Sequence, residues 1–217
     1  MMSILNKLLK PKLLSVLEDD INIEDELINE KDLSNNLIQD FKLDYINEER
    51  VEINGCRFVN VIFNECSFRN ISLLDVIFEN CDLSNIDFSD GSIHRVEFKN
   101  CKLTGCNFGG SNMQNVLFKE CLGKYSNFSY SKMKLINFDE CNMENGIFLE
   151  CNFNKVAFNS SNLIFGEFTN THLKGIDFTN SDISSIILTG KELKDVIVSP
   201  LQALELSRIL GIIIKYN

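Results

Sequence analysis

Eight cysteines and two histidines are the residues of this 217-residue chain with the widest capacity for chemistry. Thiolates can ligate zinc, form disulfides or act as nucleophiles, and imidazoles can ligate metals or transfer protons. The spacing argues against a reactive cluster, because every gap between cysteines is a multiple of five. The cysteines are Cys56, Cys66, Cys81, Cys101, Cys106, Cys121, Cys141 and Cys151. A shared phase of this kind indicates a repeated structural position.

A second series of residues follows the same five-residue interval. Thirty positions from Ile53 to Val198 lie in this phase, and 29 of them hold Phe, Leu, Ile, Met or Val, with Gly123 as the exception. A period of five fits neither a helix nor a strand. The chain must therefore turn a corner every five residues, and four such corners close a coil of about twenty residues.

Phenylalanines also recur at intervals of twenty residues, which predicts that they stack on opposite sides of the coil. One column is Phe58, Phe78, Phe98, Phe118, Phe138, Phe158 and Phe178; the other is Phe68, Phe88, Phe108, Phe128, Phe148 and Phe168. The two remaining sides carry mostly Leu, Ile and Met in the same phase. Two Phe ladders with aliphatic residues between them would fill a square interior.

The five-residue units place a small residue, a polar residue and a large apolar residue in succession. Examples are Cys66-Ser67-Phe68, Cys81-Asp82-Leu83 and Ser161-Asn162-Leu163. This pattern resembles the pentapeptide-repeat family, whose consensus is Ala-Asp/Asn-Leu-x-x. The resemblance implies an all-β fold, a right-handed quadrilateral β-helix, here with a short C-terminal α-helix and strand as a cap.

The repeat predicts buried, unreactive cysteines. Cys81, Cys101, Cys121 and Cys141 would form a column with one thiol per coil. Stacking at about 4.8 Å per coil is unfavourable for disulfide geometry, and a line of sulfurs is not a tetrahedral zinc site. His94 and His172 fall at outward positions that are far apart. We therefore expect free thiols and neither a metal nor a cofactor.

Three segments are predicted: an acidic N-terminal segment over 1–40, the solenoid over 41–199 and a C-terminal element over 200–217. In the first, two leucine groups separated by Pro11 predict short helical turns: Leu5, Leu8 and Leu9, then Leu13, Leu14 and Leu17. The first 50 residues hold 12 acidic and 6 basic side chains. This segment is interpreted as a cap, a mobile tail or a partner-binding arm.

At the other end, Ser199 and Pro200 predict the start of a helix, and residues 212–214 read as a short strand. A cap this apolar predicts a homodimer, because it has more apolar surface than one solenoid end can cover. The predicted interface is Leu201, Leu204, Ile209, Leu210, Ile212 and Ile214. The stretch from Gln202 to Ile212 is similar to the tail of the Qnr-type quinolone-resistance proteins, in which this element forms a two-fold dimer.

The Qnr-type resemblance implies a non-enzymatic protein that binds type II topoisomerases, DNA gyrase in particular or topoisomerase IV, by imitating duplex DNA. Charge supports this only in part. Three of the four sides carry a net charge that totals −8, whereas roughly 35 Å of duplex DNA carries about 20 negative charges. The repeat also has no insertion between residues 53 and 198 to form the projecting loops of the best-known Qnr proteins. We therefore expect weak inhibition and little protection against quinolones.

Two sets of outward residues are candidates for the partner surface. The acidic set is Glu79, Asp87, Asp139 and Glu140. An apolar set around Gly123 comprises Leu117, Leu122, Tyr125 and Tyr130, and it favours the alternative of a general protein-interaction scaffold with an unrelated partner. Packing repair is the competing interpretation, in which Gly123 leaves a void or a local distortion and Tyr125 folds over it.

Composition narrows the remaining classes of function. The net charge of −10 argues against direct binding to nucleic acid. No apolar run is long enough to span a membrane, and lysines interrupt the first apolar stretch, so we expect a cytoplasmic protein with reduced thiols. The sequence contains no phosphate-binding loop, metalloprotease motif or Ser/His/Asp grouping, so we expect no enzymatic activity.

Overall fold

A computed structural model describes residues 8–19 and 21–215, and most of them form a four-sided solenoid of parallel strands. The strands are β1 (Asp32–Ser34), β2 (Leu37–Gln39), β3 (Lys42–Asp44), β4 (Asn47–Glu49), β5 (Glu52–Asn54), β6 (Arg57–Val59), β7 (Ile62–Asn64), β8 (Ser67–Arg69), β9 (Ser72–Glu79), β10 (Ser92–Lys99), β11 (Asn112–Lys119), β12 (Lys132–Asp139) and β13 (Asn152–Asn159). The helical segments are α1 (Ile23–Asp25), a π-helical turn (Glu26–Glu30), a 3₁₀ turn (Lys191–Leu193) and α2 (Pro200–Leu206). The predicted quadrilateral β-helix is confirmed.

Twenty residues make one coil, as the sequence predicts. In the largest sheet, β9 pairs with β10, β10 with β11, β11 with β12 and β12 with β13, all in parallel and all offset by twenty residues, as in Ile93↔Met113. Backbone hydrogen bonds run along the axis, and Phe108 N–H, for example, donates to the carbonyl of Asn127 at 2.7 Å. Each coil thus satisfies the backbone groups of its neighbours.

The predicted Phe columns form two ladders inside the coil. Ring centroids along one ladder lie 4.9 Å apart for Phe98 and Phe118 and 4.7 Å apart for Phe118 and Phe138, with planes nearly parallel. The ladders meet edge to face at the centre, as Phe108 and Phe118 do at 5.8 Å. Offset-stacked and edge-to-face contacts are the geometries that aromatic rings prefer.

The first coil begins at residue 32, nine residues before the predicted boundary at 41. Leu33 and Ile38 already occupy the buried phase, and β1 pairs with β5. The residues just before it cap this end, because Ile23 of α1 and Leu27 of the π-helical turn pack into the core. Part of the N-terminal segment therefore belongs to the solenoid and its cap.

The helical turns predicted around Pro11 are wrong for the residues that the structure describes. Residues 8–14 have no helical assignment and lie along the outside of the solenoid; Leu5 lies outside the described residues. The N–H groups of Leu9 and Lys12 donate to side chains of the solenoid, namely Asn115 and Asp75. These external acceptors replace the carbonyls that a helix would offer.

Helix α2 begins as predicted and closes the C-terminal end. Ser199 and Gln202 form a reciprocal capping box at its N-terminus. The Gln202 amide also donates to the carbonyls of Phe178 and Ser181, both at 2.8 Å, which satisfies backbone groups of the last coils. The strand predicted over residues 212–214 is wrong within the described chain, because no neighbouring strand is present there to pair with it.

The missing side chain at Gly123 leaves no gap. The Met143 side chain of the next coil fills the space, since a Cβ at Gly123 would lie 2.6 Å from Met143 Sδ. Ser126 Oγ donates to the carbonyls of Gly123 and Leu103 at 2.8 Å. Tyr125 stays 60% exposed, so the expectation that it folds over a void is wrong. An unbranched, adaptable methionine repairs the packing instead.

Phe108→Ala is expected to lower the free energy of unfolding by about 3–5 kcal/mol, because its ring is fully buried between Phe88 and Phe128 and leaves a cavity. Phe165→Ala is the matched control: this ring is 49% exposed, and its loss should cost less than about 1 kcal/mol. Urea denaturation of both variants measures the difference. Equal costs would contradict the ladder.

All eight cysteines are expected to react with a thiol reagent after denaturation without reductant, and only slowly in the native protein. Each is buried and unpaired in the structure, and burial raises the pKa of Cys56 to about 11. A raised pKa keeps the thiol protonated at neutral pH, so the reactive thiolate is scarce. Finding fewer than eight free thiols, or bound zinc, would contradict this expectation.

Candidate interaction surface

The corners of the coil determine which side chains reach solvent. Every fifth residue from Asn35 to Gly175 has a positive φ, between 48° and 75°. This left-handed region suits Gly and Asn, which occupy many of the corners. The left-handed backbone was not predicted from the sequence, although the enrichment of Asn, Asp and Gly at this phase was a signal for it. The few bulky corner residues include Tyr125, Tyr130 and Phe165.

Outward polar residues hydrogen-bond from coil to coil. At one corner, Asn100 donates to Asn80 at 2.8 Å and Asn80 donates to Asn60 at 3.3 Å. On another side, Asn127 and Asn107 form a similar chain, each donating to the residue twenty positions before it at 3.0 Å, and this chain ends on Asp87. Asp87 also accepts the N–H of Ser89 at 2.9 Å. This predicted partner residue is therefore also a structural acceptor.

The four acidic candidates do not form one patch. Glu79 and Asp139 share a column on one side of the solenoid, but Lys99 and Lys119 lie between them in the strand register. Arg57 also forms an ion pair with Glu79 at 2.6 Å. Glu140 is exposed at the corner next to Asp139. Asp87 lies on another side, so this surface has mixed charge.

The four apolar candidates are distributed around a single coil. Leu117 is half-buried in β11, on one side, and Leu122 follows on the next side with 51% of its surface exposed. Tyr125 and Tyr130 occupy the next two corners, 60% and 59% exposed. Phe165, also exposed, shares the corner column of Tyr125 two coils further along. Leu122, Tyr125 and Phe165 can contact one partner more readily than the four predicted residues, which are spread around the coil.

The predicted dimer residues are largely exposed in the single chain. Leu201 is 76% exposed, Leu210 56% and Ile212 52%. Ile209 and Ile214 are less exposed, and Leu204 is half-buried. Leu206 contributes the buried contact that holds α2 on the last coils. The C-terminal element thus packs Leu206 against the core of the solenoid and leaves a cluster of apolar residues exposed to solvent.

A partly buried ion pair lies under the N-terminal segment, and the sequence pattern did not predict it. Arg95 donates to both carboxylate oxygens of Asp75, at 2.6 and 2.5 Å. Burial acts to raise the pKa of Asp75, but the hydrogen bonds from Arg95 and from the Lys12 N–H outweigh it and lower this pKa. Burial, together with Arg95, lowers the pKa of the adjacent His94. The pair of Arg95 and Asp75 is the least exposed of the ion pairs found among the described residues.

The described residues show no arrangement suited to metal chemistry. Within residues 8–19 and 21–215, no three His, Cys, Asp or Glu side chains are placed to hold a metal ion. Seven of the eight cysteine thiols instead lie within hydrogen-bond distance of backbone carbonyls, as Cys101 does of Phe78 and Lys99. In the same part of the chain, no helix has the length and apolar character needed to cross a bilayer.

Two family models match the repeat. One, described as a pentapeptide repeat region, matches residues 71–145, and one described as eight copies of pentapeptide repeats matches residues 136–175. No curated protein is similar enough in sequence to match the chain.

Several solved structures are similar. A trypsin-treated form of QnrB1, a plasmid-mediated fluoroquinolone resistance protein, is 22% identical, with 85% of this chain and 92% of that chain covered and a TM-score of 0.49. HetL, a pentapeptide-repeat protein involved in heterocyst differentiation regulation in the cyanobacterium Nostoc sp. strain PCC 7120, is 10% identical, with 84% and 95% covered and a TM-score of 0.22. The corners, the coil length and the two family models together show that this chain has the pentapeptide-repeat fold, with the repeats matched over residues 71–175.

Proposed function

We propose that this protein is a non-enzymatic, rod-shaped binding protein whose partner is a bacterial type II topoisomerase, DNA gyrase or topoisomerase IV. The observation that supports the proposal is the rod itself. Residues 32–199 keep one twenty-residue register, and at about 4.8 Å per coil they extend roughly 40 Å. A rigid four-sided rod of this length offers an enzyme a shape comparable to a segment of duplex DNA.

Acidic side chains contribute to the proposed binding, but the solenoid imitates the charge of DNA only in part. Roughly 40 Å of duplex carries about 24 negative charges, far more than the solenoid. Ion pairs reduce the acidic character further, as between Lys102 and Asp82 at 3.1 Å and between Lys124 and Glu144 at 2.7 Å. We therefore expect weak inhibition of supercoiling and little protection of the enzyme against quinolones.

A second candidate function is a scaffold for an unrelated protein partner. The exposed apolar group Leu122, Tyr125 and Phe165 favours it, because aromatic side chains on a rigid support are frequent anchors of protein interfaces. On this alternative, replacing Tyr125 and Phe165 by serine removes binding to the partner. Replacing the acidic residues Glu79, Asp139 and Glu140 leaves that binding unchanged.

We also propose that the protein forms a homodimer, whichever partner it binds. The support for the homodimer is the exposed apolar cluster of the C-terminal element, described above, at an end of the rod where no further coil follows within the described residues. A two-fold contact between two such ends would cover both clusters and double the length of the rod.

Binding to gyrase is expected to be detectable at tens of micromolar in low salt and to weaken as salt is added, because exposed charges are screened. A triple variant with Glu79→Lys, Asp139→Lys and Glu140→Lys should abolish it; Asp87 is left unchanged because it holds a structural hydrogen-bond chain. Surface plasmon resonance measures the binding, and a supercoiling assay measures inhibition.

The control for that experiment carries the same change of charge elsewhere, at the exposed residues Glu24, Glu30 and Glu52. It should bind as the unmodified protein does. If the unmodified protein binds neither gyrase nor topoisomerase IV under these conditions, the topoisomerase proposal fails and the scaffold takes its place.

The intact chain is expected to sediment as a dimer at tens of micromolar, and Leu201→Glu combined with Ile212→Glu should convert it to a monomer by placing charge in the apolar contact. Ile187→Glu is the matched control, because Ile187 is 51% exposed on the solenoid and lies outside the C-terminal element. A monomeric unmodified protein, or an Ile187 variant that dissociates equally, would contradict the assignment.

A further inference from the structure

Residues 8–14, here called the N-terminal arm, cross the coils along the axis of the solenoid. Leu9 N–H donates to Asn115 Oδ1 at 3.2 Å, and Lys12 N–H donates to Asp75 Oδ1 at 2.9 Å. Asp75 and Asn115 occupy the same corner two coils apart, a separation of about 10 Å. Three residues of extended chain span about the same distance. The spacing of the acceptors therefore matches the spacing of backbone donors in an extended peptide.

The receiving surface is built by three successive coils, and we call Asp75, Arg95 and Asn115 the corner strip. All three residues have positive φ, and their side chains project from equivalent corners. Arg95, in the middle coil, holds the Asp75 carboxylate with two hydrogen bonds. Asp75 and Asn115 are only 6% and 2% exposed, although they lie at outward positions. The strip thus presents fixed acceptors in an enclosed setting.

The arm itself is attached lightly. Leu9 and Leu14 are 57% and 60% exposed, Leu8 and Leu13 are half-buried, and no residue of the arm belongs to the hydrophobic core. Among the described residues that precede α1, Glu18 makes the backbone-to-backbone hydrogen bonds to the coils: its N–H donates to the carbonyl of Asn35 at 3.0 Å and its carbonyl accepts the N–H of Leu37 at 2.8 Å. The arm can therefore leave the strip while the capped solenoid stays folded.

The arm also differs in charge from the segment that follows it. Residues 8–14 contain Lys10 and Lys12 and no acidic residue, whereas acidic residues begin at Glu18. The strip contains the carboxylate of Asp75, and Glu97, two residues after Arg95, is paired with Lys99 at 2.5 Å. The segment whose backbone N–H groups donate to the strip therefore also carries leucine and lysine side chains.

From this geometry we propose that the corner strip is a binding site for an extended, leucine- and lysine-rich peptide segment of a partner protein, and that the N-terminal arm occupies it in the same chain until the partner arrives. Backbone N–H groups three residues apart bind Asn115 and Asp75. The tethered arm competes at high effective concentration, so partner binding is weak until the arm is displaced. This proposal is independent of the topoisomerase partner.

The test uses full-length protein and a fluorescently labelled peptide with the sequence of residues 8–14. Replacing Leu9 and Lys12 by proline removes the two backbone donors of the arm and leaves the strip unchanged. This variant should bind the free peptide about tenfold more tightly than the unmodified protein, measured by fluorescence anisotropy. Lys10→Pro is the control, since the described residues offer its N–H no acceptor, and it should bind as the unmodified protein does.

A second substitution tests the strip within the double-proline variant. Asn115→Gly removes one acceptor and keeps the corner, because glycine tolerates the positive φ of 56° at this position. It should reduce peptide affinity about tenfold while thermal unfolding stays close to that of its parent. Equal peptide affinity in the unmodified and double-proline proteins, or peptide binding that Asn115→Gly leaves unchanged, would overturn the proposal.

Discussion

The left-handed corner at every fifth residue is the constraint on which the rest of this structure depends. It turns the chain four times per coil, so that equivalent residues meet their counterparts twenty positions away. The spacing between coils then coincides with the stacking distance of aromatic rings, as the 4.7 Å between Phe118 and Phe138 shows. Backbone pairing and core packing therefore favour the same register, and such agreement between levels favours a single fold.

The same constraint limits what the surface can do. Outward residues form columns along the axis. The neighbour of a charged residue on the next coil is therefore the residue twenty positions later in the sequence, whatever its charge. The column of Glu79, Lys99, Lys119 and Asp139 shows how this arrangement prevents a continuous acidic face. Recognition by this protein consequently depends more on shape, on a few apolar side chains and on the irregular ends than on a continuous acidic face. The N-terminal arm and the C-terminal element are the segments that break the repeat.

The sequence was sufficient to predict the solenoid because every coil has the same five-residue pattern of inward and outward residues. Inward residues such as Phe108 and Cys106 could be assigned from phase alone, and both are fully buried. The arm could not be predicted, because its acceptors, Asp75 and Asn115, become neighbours only after the chain has coiled. The repair of Gly123 by Met143 depends on side-chain conformation in the next coil, and a one-dimensional pattern does not contain that information.

Hydrogen–deuterium exchange resolved along the chain tests the central claim, that a rigid solenoid carries a detachable N-terminal arm. Amides bonded between coils, such as those of Phe108 and Phe128, are expected to exchange slowly and together. Amides of residues 8–14 should exchange orders of magnitude faster than those of the coils, including the amides of Leu9 and Lys12. Arm amides as protected as those of the core, or coils that exchange rapidly between residues 53 and 178, would contradict the account.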